Sequence, residues 1–260
     1  MTAGRLLADA AAQGAGIVVL PEMFSAFVPP GSWRATAEGA GGPTEAFLSS
    51  AAARHRVCVV GGSYVEKAGE DVFYNTCPVV SAEGAVVARY RKMHLFWTDI
   101  PGATRYDERS YLAAGDARVV FETAGFRICV GICYDLRFPE FFRFPGGLPV
   151  DLFCLPAAFM EATGCAHWEV LVRSRAIENL AYFAAAGTCG RHYEVEDRPG
   201  ETVSTYGHSM VVSPWGQVLA QVDSCEGVAV AKISRAAIDR TRERLGALRH
   251  VRGDLWRAAQ

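Results

Sequence analysis

Short apolar runs recur along the chain, each closed by Gly, Pro or a charged residue, and none is long enough to span a bilayer. IVVL at 17–20 reads as a buried strand, preceded by a helix over 5–13 that stops near Gly14. A helix over 44–55 follows a Gly/Pro-rich loop. Strands are predicted at 57–66, 74–81 and 85–91, the last two forming a hairpin that turns at Glu83-Gly84. Residues 93–116 read as a loop, after which 118–122 pairs with 127–132 around Ala124-Gly125. A strand at 151–156, a helix over 167–180 and a strand at 181–188 come next, then a loop to about 206. Strands at 208–213, 218–222 and 227–233, a polar helix over 235–245 and an Arg-rich tail close the pattern. On the helix over 167–180, Val170, Leu171 and Ile177 are the positions expected to face the core.

This alternation is that of an α/β protein, and composition narrows it further. The chain has 260 residues, half of them hydrophobic, which is enough for a large core; no linker or repeat interrupts 1–260, so a single domain is expected. A formal net charge of -2 gives no electrostatic case for nucleic acid or an anionic membrane as partner. Of the eight cysteines, Cys58, Cys129 and Cys154 lie in apolar runs and no secretory leader pattern precedes them, so reduced thiols and a cytoplasmic location are expected. There is no CxxC pair and no HExxH, and the six histidines are scattered, so no metal or cofactor is expected.

Four segments carry candidate chemistry: VVLPEMF around Glu22, YRKMHLF around Lys92, RYDERSYLAAGD around Glu108 and VGICYDLRFPE around Cys133. Glu22 and Cys133 each follow a predicted buried strand, the place where α/β folds gather ligands. A thiol can attack a carbonyl, a carboxylate can move protons and an ammonium can stabilise an oxyanion, so together they suit a thiol hydrolase. Taken singly, each has a plainer reading. Glu22 could cap a helix or pair with an Arg, Lys92 could be a solvated strand end, Cys133 a small core residue and Glu108 a surface partner of Arg105 or Arg109.

In this order the four segments resemble the nitrilase, or carbon-nitrogen hydrolase, superfamily. The resemblance extends to LPAAFMEATGCAHWEVLVRSRAIEN at 155–179, GRH at 190–192 and TYGHSMVVSPWGQVLA at 205–220, and is nearest to the amidase branch holding deaminated glutathione amidase and ω-amidase. It implies a four-layer αββα sandwich, self-association into a homodimer or larger homo-oligomer, and a small-molecule amide as substrate. By position, Cys133 corresponds to the nucleophile and Glu22 to the general base. Lys92 with the Tyr134 N–H would form the oxyanion site, and Glu108, followed by Leu112, Gly115 and Asp116 at the family's spacing, would position Lys92. Lys92 would also favour the Cys133 thiolate. Deaminated glutathione is the substrate favoured by GRH together with Tyr206-Gly207-His208-Ser209, with 2-oxoglutaramate as the alternative. Arg137, Arg173, Arg191, His192 and His167 are the candidates for binding its carboxylates or shaping the cleft. An inactive scaffold is the non-enzymatic reading.

Three departures from the family pattern bear on structure. Members begin with a strand before the first helix, whereas this sequence opens in the helix, so an exposed sheet edge beside 17–20 and reduced stability are expected. FRFPGGLPVD at 142–151 replaces a continuous helix, with Pro145, Gly146 and Gly147 expected to break it. The loop YEVEDRPGETVS at 193–204 is longer than usual and is expected to affect substrate size.

Overall fold

A computed structural model describes residues 2–98, 106–144, 147–195, 200–223 and 226–252. Arg105, Pro145 and Gly146 therefore lie outside the described residues, as does the middle of the 193–204 loop. Helix α1 (Thr2–Ala12) leads into β1 (Ile17–Val19), and α2 (Trp33–Thr36) and α3 (Pro43–His55) precede β2 (Cys58–Val60), β3 (Tyr64–Lys67), β4 (Phe73–Val80) and β5 (Val86–Arg91). These strands form the first sheet in the order β1-β2-β4-β3, with β5 also on β4; β1 and β2 are parallel and the remaining pairs antiparallel. Two-residue strands β6 (Trp97–Thr98) and β7 (Tyr106–Asp107) pair with each other beyond it.

The second sheet contains β8 (Val119–Thr123), β9 (Phe126–Val130), β10 (Leu152–Ala157) and β11 (Tyr182–Gly187), after which β12 (Cys189–Glu194) and β13 (Thr202–Tyr206) stand apart as a hairpin. With β14 (Met210–Val212) and β15 (Val218–Gln221) its order is β15-β14-β11-β10-β9-β8. Helices α4 (Pro139–Phe142), α5 (Glu161–Asn179) and α6 (Arg235–Arg244) complete the chain. Period-two burial assigns the layers: Cys58 and Val60 of β2 join the core shared with the second sheet, whereas Val59 joins Leu7, Ala10, Leu48 and Ala52 under α1 and α3. On the far side Trp168, Val172 and Ala176 of α5 and Ile238 of α6 belong to the core of the second sheet. The result is the expected αββα sandwich.

Several elements differ from their sequence pattern. The strand expected over 57–66 is two strands, because the chain turns at Gly61-Gly62, where Gly62 has φ +62° and a Cβ would overlap Pro21 O. Helix α5 starts at Glu161, earlier than 167, and runs through Gly164, where any Cβ would overlap the Tyr206 ring. Its core face is Trp168, Val172, Arg175, Ala176 and Asn179, whereas Val170 and Ile177 are exposed. The loop expected before 206 is the β12–β13 hairpin. As expected, α4 is only four residues long and gives way to extended backbone at Arg143, ahead of the Pro-Gly-Gly stretch.

The strand expected at 227–233 does not form: among the described residues this segment joins no sheet. It runs along an apolar groove of about 840 Å³, whose other wall is β1, an edge strand of the first sheet. Thr2 and Ala3 at the start of α1 also line it, together with Leu20 and Pro21 at the carboxyl end of β1. A strand in the groove, parallel to β1 and leading into α1, would make α1 the crossover that a parallel pair requires. Joining an apolar β-forming segment of about six residues to the amino end of α1 should therefore raise the thermal unfolding midpoint by several degrees. About 1 kcal/mol corresponds to roughly 2–4 °C at this size; an unchanged midpoint would show that the groove does not accept a strand.

Candidate active site

Lys92 is the residue immediately after β5, and its ammonium is almost wholly buried at 1% exposure. Its backbone is held on both sides: Lys92 N–H donates to Asn75 O at 2.9 Å, and Gly115 N–H donates to Lys92 O at 2.9 Å. Gly115 packs so closely that a Cβ would overlap Arg91 O, which explains why glycine occupies that place. Lys92 Nζ lies 2.9 Å from Glu22 Oε1 and 2.9 Å from the Glu108 carboxylate, both of which are also buried. An uncompensated ammonium at this depth would cost several kcal/mol, so the two carboxylates are what allow the charge to exist there.

Glu22 follows β1, whose end is fastened by Leu20 N–H donating to Val60 O. Thr188 Oγ1 donates to Glu22 O, Met23 N–H donates to Ser63 Oγ, and Asn75 Nδ2 donates to Glu22 Oε1 at 2.8 Å. Glu108 enters from the β6–β7 extension and is clamped to Phe96: Glu108 N–H donates to Phe96 O, and Phe96 N–H donates back to Glu108 Oε2 at 2.7 Å. Arg109, the adjacent cation, pairs with Asp107 instead, so the surface ion pair considered for Glu108 is not made with it.

Cys133 opens a 3-10 turn (Cys133–Arg137) directly after β9 and Gly131-Ile132, and its φ of +46° is rare for a side-chain-bearing residue. Glu22 and the Ala158 backbone are among the groups that act on the thiol. Tyr134 is second in the turn, a position whose backbone N–H precedes the first donor that a helical turn satisfies internally. Burial pushes the Cys133 thiol well above its ordinary range, Glu22 pushes it the same way, and Lys92 opposes both. Lys92 thus acts in the expected direction, towards the thiolate, but burial and Glu22 outweigh it and the resting thiol is neutral. For Lys92, burial disfavours the charge but Glu108 and Glu22 outweigh it, holding the ammonium firmly protonated. Glu108 is pushed up to about 7 by burial and by the neighbouring Glu22, against the pull of Lys92.

The structure therefore brings Glu22, Lys92, Glu108 and Cys133 into one buried cluster, while the expected substrate-binding residues are dispersed. Arg137, at the far end of the Cys133 turn, lies over the Phe159 ring with Nη1 3.2 Å from His167 Nδ1. The Tyr134 ring packs edge-on against Phe96 and Phe138. His192 stacks near Phe27 and places Nε2 2.7 Å from Thr205 Oγ1, with burial lowering its proton affinity. Arg191 bonds Thr202 within the β12–β13 hairpin. Arg173 binds Glu169 and Gly216 O on the exposed side of α5, so it serves as a surface brace. Its neighbour Arg175 is the buried one, donating to Leu136 O beneath the nucleophile turn. Asn75, Thr188 and Asp135 contact the cluster or its supporting segments without having been singled out from the sequence, and Arg175, expected with Arg173 as a helix-surface ion pair, is buried instead. A polar residue inside the apolar run FYNTCPVV was the available signal for Asn75, whose Oδ1 is buried with no hydrogen-bond partner among the described residues.

Residues 1–243 match the family model described as carbon-nitrogen hydrolase. The chain is 37% identical over 259 residues to the chloroplastic omega-amidase of Arabidopsis thaliana, covering 98% of this chain and 68% of that protein. Among solved structures, the C. elegans NitFhit protein is similar with a TM-score of 0.84 at 32% identity; 98% of this chain is covered, and it spans only 61% of the NitFhit chain. XC1258 from Xanthomonas campestris, a CN-hydrolase superfamily protein with an arsenic adduct in its active site, gives 0.81 at 32% identity, covering 96% of this chain and 89% of that one.

The Glu108 shift has a measurable sign. Its affinity for a proton rises from an ordinary 4.5 to about 7 on folding, so its stabilising contribution is complete below about 4.5 and is lost as pH rises through about 7. Thermal midpoints recorded across that interval should fall less steeply with pH in Glu108→Gln than in the parent. Parallel slopes would show that Glu108 is already ionised throughout.

Proposed function

Because the chain belongs to the carbon-nitrogen hydrolase family, as a Cys-dependent amidohydrolase of its ω-amidase branch, we propose that it hydrolyses the terminal amide of a short 2-oxo acid of the 2-oxoglutaramate type. The observation that carries the catalytic assignment is Lys92 Nζ held between Glu22 and Glu108, with the buried Cys133 thiol under the influence of the same Glu22 and Lys92. Glu22 takes the Sγ proton as sulfur attacks the amide carbon, and the carbonyl oxygen becomes an oxyanion facing Lys92 Nζ and the Tyr134 N–H. Preorganised donors of this kind contribute about 3–4 kcal/mol each to the barrier. The tetrahedral intermediate collapses by breaking the C–N bond, Glu22 protonating the departing ammonia. Glu22 then deprotonates a water that attacks the thioester, and the thiol is restored as the acid product leaves.

This route suits a neutral resting thiol, since the proton moves from Sγ to the neighbouring Glu22 carboxylate as sulfur attacks. Glu108 keeps Lys92 in place from the other side while its own backbone and side chain are fixed by Phe96. Arg137 is the cation best placed for the substrate carboxylate: it stands at the end of the nucleophile's own turn, and His167 beside it can share an anion.

The choice of the smaller substrate departs from the reading drawn from GRH and Tyr206-Gly207-His208-Ser209. Arg191 and His192 are engaged with Thr202 and Thr205 inside their hairpin, and the similar Arabidopsis protein is an omega-amidase. Purified protein should release ammonia from 2-oxoglutaramate with a higher kcat/KM than it cleaves deaminated glutathione, and Cys133→Ala should abolish both. A reversed preference would return the assignment to the larger substrate, and no turnover of either would support a scaffold role. Arg137→Ala should raise KM for 2-oxoglutaramate about tenfold, the scale of one lost ionic contact of roughly 1.5 kcal/mol, with kcat changed far less. An unchanged KM would place carboxylate recognition elsewhere.

A further inference from the structure

Asp135 stands outside the Lys92 cluster, yet its fully buried carboxylate collects four donors. Ile132 N–H and Tyr90 OH donate to Oδ2 at 2.7 and 2.6 Å; His94 N–H donates to Oδ1 at 3.1 Å, and His94 Nδ1 lies 2.7 Å from the same oxygen. Tyr90 OH in turn accepts from Met93 N–H at 3.1 Å. The donors come from two segments only. Tyr90 and His94 lie two residues before and two after Lys92, while Ile132 precedes Cys133 and Asp135 lies two residues beyond it.

From this placement we propose that Asp135 is a positioning residue that fixes the separation between the Lys92 ammonium and the Cys133 sulfur. Resting on the catalytic reading above, the proposal gives the carboxylate a role distinct from general packing: it joins the strand end that supplies the oxyanion cation to the turn that supplies the nucleophile. Both halves are stiffened by rings from the nucleophile side, with His94 stacked on Phe138 at 3.8 Å and Tyr90 edge-on to Phe141 at 5.8 Å. The Cys133 turn starts in a left-handed conformation that needs restraint; Asp135 Oδ2 closes the turn locally by accepting from Ile132 N–H, and Tyr90 and His94 hold the same carboxylate from outside it. Because a misplacement of about 1 Å can cost roughly 100-fold in rate, such a tie acts on kcat.

Asp135→Asn keeps the size of the side chain but turns an amide NH₂ toward two of the four donors. In folded protein it should lower kcat for 2-oxoglutaramate about 100-fold while KM stays within about threefold. Tyr90→Phe should lose less, and the double variant should be no slower than Asp135→Asn alone, because both cuts sever one connection. Asp151→Asn is the control for loss of a buried carboxylate away from the site, since Asp151 binds Arg127 N–H, Arg235 and Arg242; it should lower the melting temperature and leave kcat per folded molecule unchanged. If Asp135→Asn behaves like that control, the proposal is overturned. Should the parent turn over no 2-oxo acid amide, the catalytic reading fails separately, and the tie is then tested through iodoacetamide alkylation of Cys133. Displacing Lys92 from the thiol shifts the alkylation profile to higher pH, whereas an unmoved profile overturns the tie.

Discussion

The rest of the structure depends on one buried cation. Lys92 Nζ has given up its water and holds Glu22 and Glu108 at 2.9 Å each. Without these carboxylates the charge would be left with a desolvation cost of several kcal/mol unanswered. Three distant stretches of chain must therefore arrive together, from the end of β1, the end of β5 and the β6–β7 extension. The sandwich accomplishes this by placing the open ends of strands from both sheets at one edge. The close approach of Gly115 to Arg91 and Lys92 then fixes the height of the ammonium along β5.

A cluster this dry also decides how protons are stored. Two carboxylates beside one ammonium carry a surplus negative charge, which Glu108 relieves by holding its proton up to about pH 7 and Cys133 by keeping its thiol protonated. In the proposed route the thiol proton passes to Glu22 once a carbonyl oxygen can share the field of Lys92. Charge that is unfavourable at rest thus becomes favourable as the oxyanion develops, which is the differential stabilisation that a rate enhancement requires.

Legibility in the sequence followed the physics of each element. The β8–β9 hairpin was readable from Ala124-Gly125 because a tight turn needs positive φ there, and both residues have it. Glu22, Lys92, Glu108 and Cys133 were readable through the joint resemblance of their four segments, since Lys92 directly follows Arg91 and Glu108 sits between Asp107 and Arg109. The break at Gly61-Gly62 was not, since what forces it is Pro21 and Leu48 pressing from remote parts of the chain. Likewise Gly164 looks like a helix breaker locally but is the only residue that fits under Tyr206, and the core face of α5 follows Arg175 rather than the more apolar Val170 and Ile177. The β12–β13 hairpin carries too many polar residues, Arg191, His192 and Glu194 among them, to announce itself by alternation.

Arg175 and Asp135 show why a buried charge is hard to read from one dimension. Each is a common surface residue type, and each is inside partly because backbone groups partner it: Leu136 O for Arg175, alongside Glu178, and Ile132 N–H and His94 N–H for Asp135, alongside Tyr90 OH and His94 Nδ1. Backbone partners leave no trace in residue identity, so such side chains look like helix or turn decoration until the fold is known. Both grip the same short 3-10 turn, Asp135 at its entrance through Ile132 and Arg175 near its end through Leu136. A turn that begins with Cys133 at positive φ would relax if only local sequence held it. Its conformation is imposed instead from β5 and from α5, so the reactivity of the thiol is a property of how the two sheets and the outer helix pack.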